Sequence, residues 1–341
     1  MRAAVFKEMS KPLVVEAMDD PVPAPHELIL RVRNCGICGS DLHMTEPTSI
    51  MPLALGSVMG HEFAGEVVAT GSAVTNWKSG ARVAGFPYIC CGDASPCLNF
   101  AFGSRVCGKG ISVGLGASPG AYAQYVKIGA SGAYRLPDSV SFREGAMVEP
   151  LAVGLHAVDM AKMPRGATVL VIGAGPVGLA VMLWAKFLGA RHVIVSEKAD
   201  VRKAMAARFG ATDAIDPAQG LTAQVEKIAG RGPDIIFECV GAPGLINMAM
   251  MDAPRGTRIV IAGVCQQPDT IMPLMGIVKE LELQFVLGYR PADFDYVIGM
   301  IASDRVDVAH MITDVVDLDA LPSAFEALRK PSHQCKVMLE N

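Results

Sequence analysis

The apolar run Ala167-Thr168-Val169-Leu170-Val171-Ile172 leads directly into Gly173-Ala174-Gly175-Pro176-Val177-Gly178, and this pair of segments restricts the fold more than any other. A strand without polar alternation is buried on both faces, as in a parallel sheet covered by helices. In a turn of this kind the first glycine permits the tight bend. The second lets a backbone approach a pyrophosphate, and the third lets helix and strand pack closely. The helix that follows, expected over Leu179 to Leu188, aims free N–H groups and a positive dipole end at the phosphates. Gly173, Gly175, Pro176, Val177 and Gly178 are therefore candidate dinucleotide contacts.

The segments that follow repeat the theme. His192 to Ser196 reads as a strand and Val201 to Phe209 as a helix, and Asp234 to Cys239 and Thr257 to Ala262 read as further strands with helical spacers. Strands alternating with helices build a doubly wound parallel sheet, here ending near Gly288. Glu197 closes the second strand, at the place where a carboxylate grips a ribose 2′-hydroxyl and repels a 2′-phosphate. That favours NAD over NADP, a preference tempered by Lys198 and Arg202 close by. Val240 and Gly263, after the later strands, are further cofactor candidates.

Before about Pro150 the texture differs. Short strands such as Leu28 to Val32, Phe63 to Ala69 and Gly80 to Gly85 are punctuated by glycine and proline, which predicts an all-β, barrel-like domain. A helix is expected over Ala152 to Met163. The last fifty or so residues, with a helix over Ala320 to Lys330 and a strand over Lys336 to Leu339, leave the α/β pattern and are expected to rejoin the first domain. The expected division is 1–153 with 290–341, and 154–289.

Metal-ligating residue types concentrate in the β-rich part. Cys35-Gly36-Ile37-Cys38-Gly39-Ser40-Asp41-Leu42-His43 is followed by Gly60-His61-Glu62 and, much later, by Glu149-Pro150. Thiolate, imidazole and carboxylate are the ligand types zinc accepts when one coordination place stays open. The nine cysteines, four of them within residues 90–107, sit in a chain that opens on a strand-like segment rather than a signal peptide, so metal binding in a reducing cytoplasm is expected before disulfides. A net charge of −4 without basic runs argues against nucleic acid, and no apolar run is long enough to span a bilayer.

These motifs, in this order and over nearly the whole length, resemble the zinc-dependent medium-chain alcohol dehydrogenases. The likeness is greatest to the secondary-alcohol, butanediol and polyol branch, which has Glu-Pro where other members have a ligand cysteine. The resemblance implies a GroES-like β-barrel catalytic domain with a Rossmann NAD-binding domain. It further implies that Cys38 and His61 bind one catalytic zinc, with Glu62 or Glu149 completing the set. Ser40 would accept the alcohol proton and His43 would relay it to solvent through the nicotinamide ribose. Cys35 is read as a packing residue and Asp41 as structural, pointing away from the chemistry.

The implied reaction is NAD-dependent oxidation of a secondary alcohol or small diol to the ketone, with polyol or primary-alcohol oxidation as alternatives and a non-enzymatic nucleotide-binding protein as the contrasting class. The implied assembly is a homodimer or homotetramer joined through the nucleotide domain around Thr257 to Val264. A second, structural zinc on four cysteines is expected to be lost, because Ala94 stands where the second ligand belongs and Cys107 comes two residues late. Met51, Met59 and Leu151 hint at an apolar substrate lining.

Overall fold

The computed structural model describes residues 1–51, 53–89, 110–330 and 333–341. The cysteine-rich segment that bears on a second zinc lies outside these. The chain divides into two units, Met1–Glu149 with Arg290–Asn341, and Pro150–Tyr289.

In the first unit, β1 (Arg2–Phe6) lies between β2 (Val14–Ala17) and β4 (Ser57–Val58). A larger sheet is built on β3 (Glu27–Gly36), which pairs antiparallel with β5 (Glu62–Thr70), β9 (Tyr125–Gly129) and β18 (Lys336–Glu340). It continues through β6 (Arg82–Gly85) to β10 (Ala133–Arg135) on one side, and from β18 to β17 (Ile312–Val316) on the other. Alternation along these strands sends Leu28, Leu30, Val32, Phe63 and Val67 into one core with Phe6, Tyr122 and Phe325. The C-terminal residues are part of this core rather than an appendage: Val337 and Leu339 are buried within it.

The second unit is a six-stranded parallel sheet. Its order is β13 (Asp213–Ile215), β12 (His192–Ser196), β11 (Thr168–Ile172), β14 (Ile235–Glu238), β15 (Arg258–Ile261) and β16 (Glu282–Phe285). Every residue of β11 is buried, which is why its sequence shows no alternation. The order reverses beside β11, between β12 and β14, and such a switch point opens a crevice at the carboxyl ends of the strands.

Two helix boundaries differ from the sequence expectation, each for a local reason. The helix expected from Ala152 runs over Val148–Met160, because Pro150 falls in its first turn, where the missing N–H has no partner to lose. It ends at Met160, short of Met163, and the chain turns away at Lys162, whose φ of 49° is left-handed. The helix after the glycine turn starts at Pro176 and ends at Phe187, proline being pre-shaped for the first helical position.

The association surface expected around Thr257 to Val264 is not a sheet edge. Strand β15 inside that segment is hydrogen-bonded to β14 on one side and β16 on the other, and Ile259, Val260 and Ile261 are buried. The edge strands are β13 and β16, and Phe285 at the end of β16 and Leu287 just after it are exposed. None of the described helices is long and apolar enough to cross a membrane.

Candidate metal centre and cofactor site

Sheet register assembles the metal candidates. Strand β3 ends at Gly36 and β5 begins at Glu62, and the two pair Gly36 with Glu62. Cys38 therefore follows one strand end while His61 precedes the adjoining strand start. The Cys38 sulfur, a His61 ring nitrogen and a Glu62 carboxylate oxygen all lie within 4.8 Å of one another, the only such group of three or more among the described residues. Glu149, buried at the start of its helix, is not in the group.

Asp41 corrects the sequence reading. It does not point away: it is fully buried, and its Oδ1 lies 3.2 Å from His61 Nδ1. Its Oδ2 accepts hydrogen bonds from the Tyr122 hydroxyl at 2.6 Å and from the Cys38 N–H at 3.1 Å. The acid thus faces one ring nitrogen and leaves Nε2 for a metal, the usual arrangement behind a ligand histidine. Burial works against a charged imidazole, yet Asp41 and Cys38 outweigh it and hold the His61 pKa well above its ordinary value. Such a surplus of negative charge suits a bound cation at Nε2. The soft and hard donors together fit zinc.

Strand β18 adds a residue that the sequence reading missed. It pairs with β3, setting Met338 opposite Gly36, and so carries Lys336 to the same place. The Lys336 ammonium, 1% exposed, donates to both Glu62 oxygens at 2.7 and 2.6 Å and to the Ile37 carbonyl at 3.1 Å. Burial alone would strip its proton, but Glu62 and Cys38 raise its pKa above the ordinary value. No spacing rule links residues 62 and 336; only the strand pairing does.

The other expected residues fall as follows. Cys35 is fully buried in the core. Ser40 is half-buried on the first turn of the short helix Gly39–Met44. His43 is exposed on its last turn, with Nδ1 3.5 Å from Glu46 Oε1. Arg329 secures that helix end by donating to the Thr45 hydroxyl and the Leu42 carbonyl. Met59 is fully buried in the core and lines nothing open, whereas Met51 is exposed.

In the second unit, Gly173 adopts φ 95° and donates its N–H to the Ser196 carbonyl at 2.9 Å. A side chain at Gly178 would run into the Gly173 carbonyl, while one at Gly175 would meet nothing within 4 Å. The turn is therefore closed where helix meets strand and open where a pyrophosphate would lie. The Glu197 carboxylate accepts from the Ala174, Lys198 and Ala199 N–H groups at 3.0, 2.7 and 2.9 Å, tying the end of β12 to the turn. Arg202 is half-buried one helical turn away.

Comparison with known proteins agrees with this chemistry. Residues 24–138 match the alcohol dehydrogenase GroES-like domain and residues 176–303 the zinc-binding dehydrogenase domain. The sorbitol dehydrogenase of Bacillus subtilis is 31% identical over 345 residues, covering 99% of this chain and 97% of the relative. A probable D-xylulose reductase A of Aspergillus fumigatus is 32% identical over 92% of this chain and 90% of its own. The crystal structure of 2R,3R-butanediol dehydrogenase from Bacillus subtilis superposes with a TM-score of 0.88 at 29% identity, covering 100% and 99% of the two chains. The chain belongs to the zinc-binding alcohol dehydrogenase family. It is an oxidoreductase acting on the CH–OH group of an alcohol or polyol, with zinc and NAD as cofactors. In this dehydrogenase, Asp41 and Lys336 are the charged residues beside the metal candidates that local motif reading undervalued.

Proposed function

We propose that Cys38, His61 and Glu62 hold one zinc ion per chain, with Glu149 as the alternative carboxylate, in an enzyme that oxidises a secondary alcohol, small diol or polyol to the ketone. The observation that carries this reading is the convergence of those three donors, His61 and Glu62 buried and Cys38 half-buried, backed by Asp41 behind the histidine and Lys336 behind the glutamate. When bound, zinc supplies Lewis acidity toward an alcohol oxygen, and the nicotinamide supplies a hydride acceptor. Asp41 orients the His61 ring. Lys336 balances the Glu62 charge, so that this carboxylate does not oppose a developing alkoxide. Ser40 takes the alcohol proton, and His43 at the exposed end of the same helix delivers it to water. The 1% exposure of Glu62 and 5% of His61 keep bulk water from the donors.

Sorbitol dehydrogenases and D-xylulose reductases among the relatives favour a polyol, and the butanediol dehydrogenase a vicinal diol. We further propose a cytoplasmic homodimer or homotetramer, in which a second copy pairs along the free edge of β16. The exposed Leu274, Ile277 and Val278 of the helix Pro273–Lys279, which buries none of its residues, would be covered with it.

The test is NAD reduction, followed by NADH absorbance, with 2,3-butanediol, sorbitol, xylitol, 2-propanol and ethanol on enzyme of measured zinc content. The secondary alcohols should turn over and ethanol should lag well behind. Turnover unaffected by removal of all zinc would reject the assignment.

A further inference from the structure

Glu238 ends β14 next to the switch point, and it is 1% exposed. Its Oε1 accepts the Val240 N–H at 2.7 Å and the Gly241 N–H at 2.9 Å. Its main-chain carbonyl accepts the Ala262 and Gly263 N–H groups, both at 2.9 Å. Gly263 leaves no room for a side chain, because a Cβ there would run into Gly241 N and stand 2.6 Å from Glu238 Oε2. One residue thus joins the loop after β14 to the loop after β15. Asp269 performs a similar task farther out, its Oδ1 accepting the Gly244 and Thr270 N–H groups, each at 2.8 Å.

The two loops that these acids hold present apolar side chains to solvent. Val240 is 49% exposed and Val264 50% exposed, and the Val240 side chain reaches over Gly173 of the glycine turn. In a doubly wound sheet each half takes one mononucleotide. Glu197 sits at the β12 end with the adenosine half, so the half that opens with β14 takes the nicotinamide ribose and ring. Exposed valines flanking a crevice suit an aromatic ring face.

We propose that Glu238 is a positioning residue for the nicotinamide end of the cofactor, its carboxylate holding the loop after β14, and its main-chain carbonyl the loop after β15, in the shape that receives it. This rests on the reading of the glycine turn as an NAD site. A buried carboxylate is costly for a fold to keep. Here burial above all, and Asp269 besides, hold the Glu238 pKa above its ordinary value, against the Gly241 and Val240 N–H groups that favour the charged form. Nothing in the core requires that charge; the loops do.

The test compares binding of NADH with binding of ADP-ribose, which lacks nicotinamide, by fluorescence and calorimetric titration of the whole enzyme. E238L should weaken NADH about tenfold, the size of one lost charge-assisted hydrogen-bond pair, and leave ADP-ribose unchanged. E238Q, which keeps an acceptor oxygen but not the charge, should weaken NADH about threefold and leave ADP-ribose unchanged. Equal NADH affinity in wild type and E238L, or parallel loss of both ligands, would overturn the proposal. If E238L does not fold, E238Q decides: a loss of about threefold confined to NADH supports the role, and wild-type affinity rejects it. Wild-type enzyme that binds neither ligand would instead refute the underlying NAD reading.

Discussion

The two candidate sites are built from opposite materials. The dinucleotide turn is mostly backbone: a glycine at φ 95°, a helix N-terminus and one carboxylate, within a single run from Gly173 to Glu197. The candidate metal centre is all side chain, drawn together from residues 38, 41, 61, 62, 122 and 336, with Asp41, Glu62 and Lys336 buried. A backbone site depends on sterics, so its sequence must be local and nearly fixed. A side-chain site depends on charge balance, and residues far apart in the chain can supply the balancing groups.

The comparison can be broken by disabling one site at a time. Cys38→Ser should remove zinc and lower kcat/KM at least about a hundredfold, while NADH still binds. Gly178→Val, which forces a side chain onto the Gly173 carbonyl, should do the reverse. Zinc content by plasma mass spectrometry and NADH titration read the two losses separately, and a variant that loses both would mean the sites are not independent.

Lys336→Met tests the charge balance directly. It leaves Glu62 buried without its partner, which should cost about 3–5 kcal/mol of stability in the metal-free protein. Zinc should recover part of that, since a cation can replace the ammonium. Thermal unfolding with and without zinc measures both; an unchanged melting temperature in the metal-free variant would show that the pair is not needed.

The smallest effect is expected at the edge of the metal centre. His43→Ala should slow turnover about tenfold and alter the pH profile of kcat, with zinc content intact, because an exposed relay only hastens a proton that water can also carry. A profile unchanged in shape would place the proton route elsewhere.

The same contrast explains what could be read from sequence. The glycine turn and the parallel strands follow from short-range spacing, and the sheet order answers to them, whereas Cys38, His61 and Glu62 or Glu149 come from the likeness of whole motifs to a family, and the structure draws the first three together. Lys336 could not be found that way: it sits in a strand of ordinary appearance, and only the pairing of Met338 with Gly36 gives it a role. Asp41 was visible but misassigned, because in a six-residue helix the direction of one side chain is set by Tyr122, far along the chain. The central place of β15, within Thr257 to Val264, was hidden for a related reason. A strand looks the same in sequence whether it is central or at an edge, and β15 has neighbours on both sides.

Strand β18 also bears on how the molecule is made. It closes a sheet begun by residues near the N-terminus, and the whole nucleotide-binding unit is translated between them. On the ribosome, β3 and β5 emerge early but wait for Lys336 and its strand until the nucleotide-binding unit has been made. The parallel sheet of Pro150–Tyr289, contiguous in the chain, has no such wait and can fold first. Sequence separation of that order slows folding of the first unit, leaving β3 without β18 and Glu62 without its counter-charge until that strand emerges.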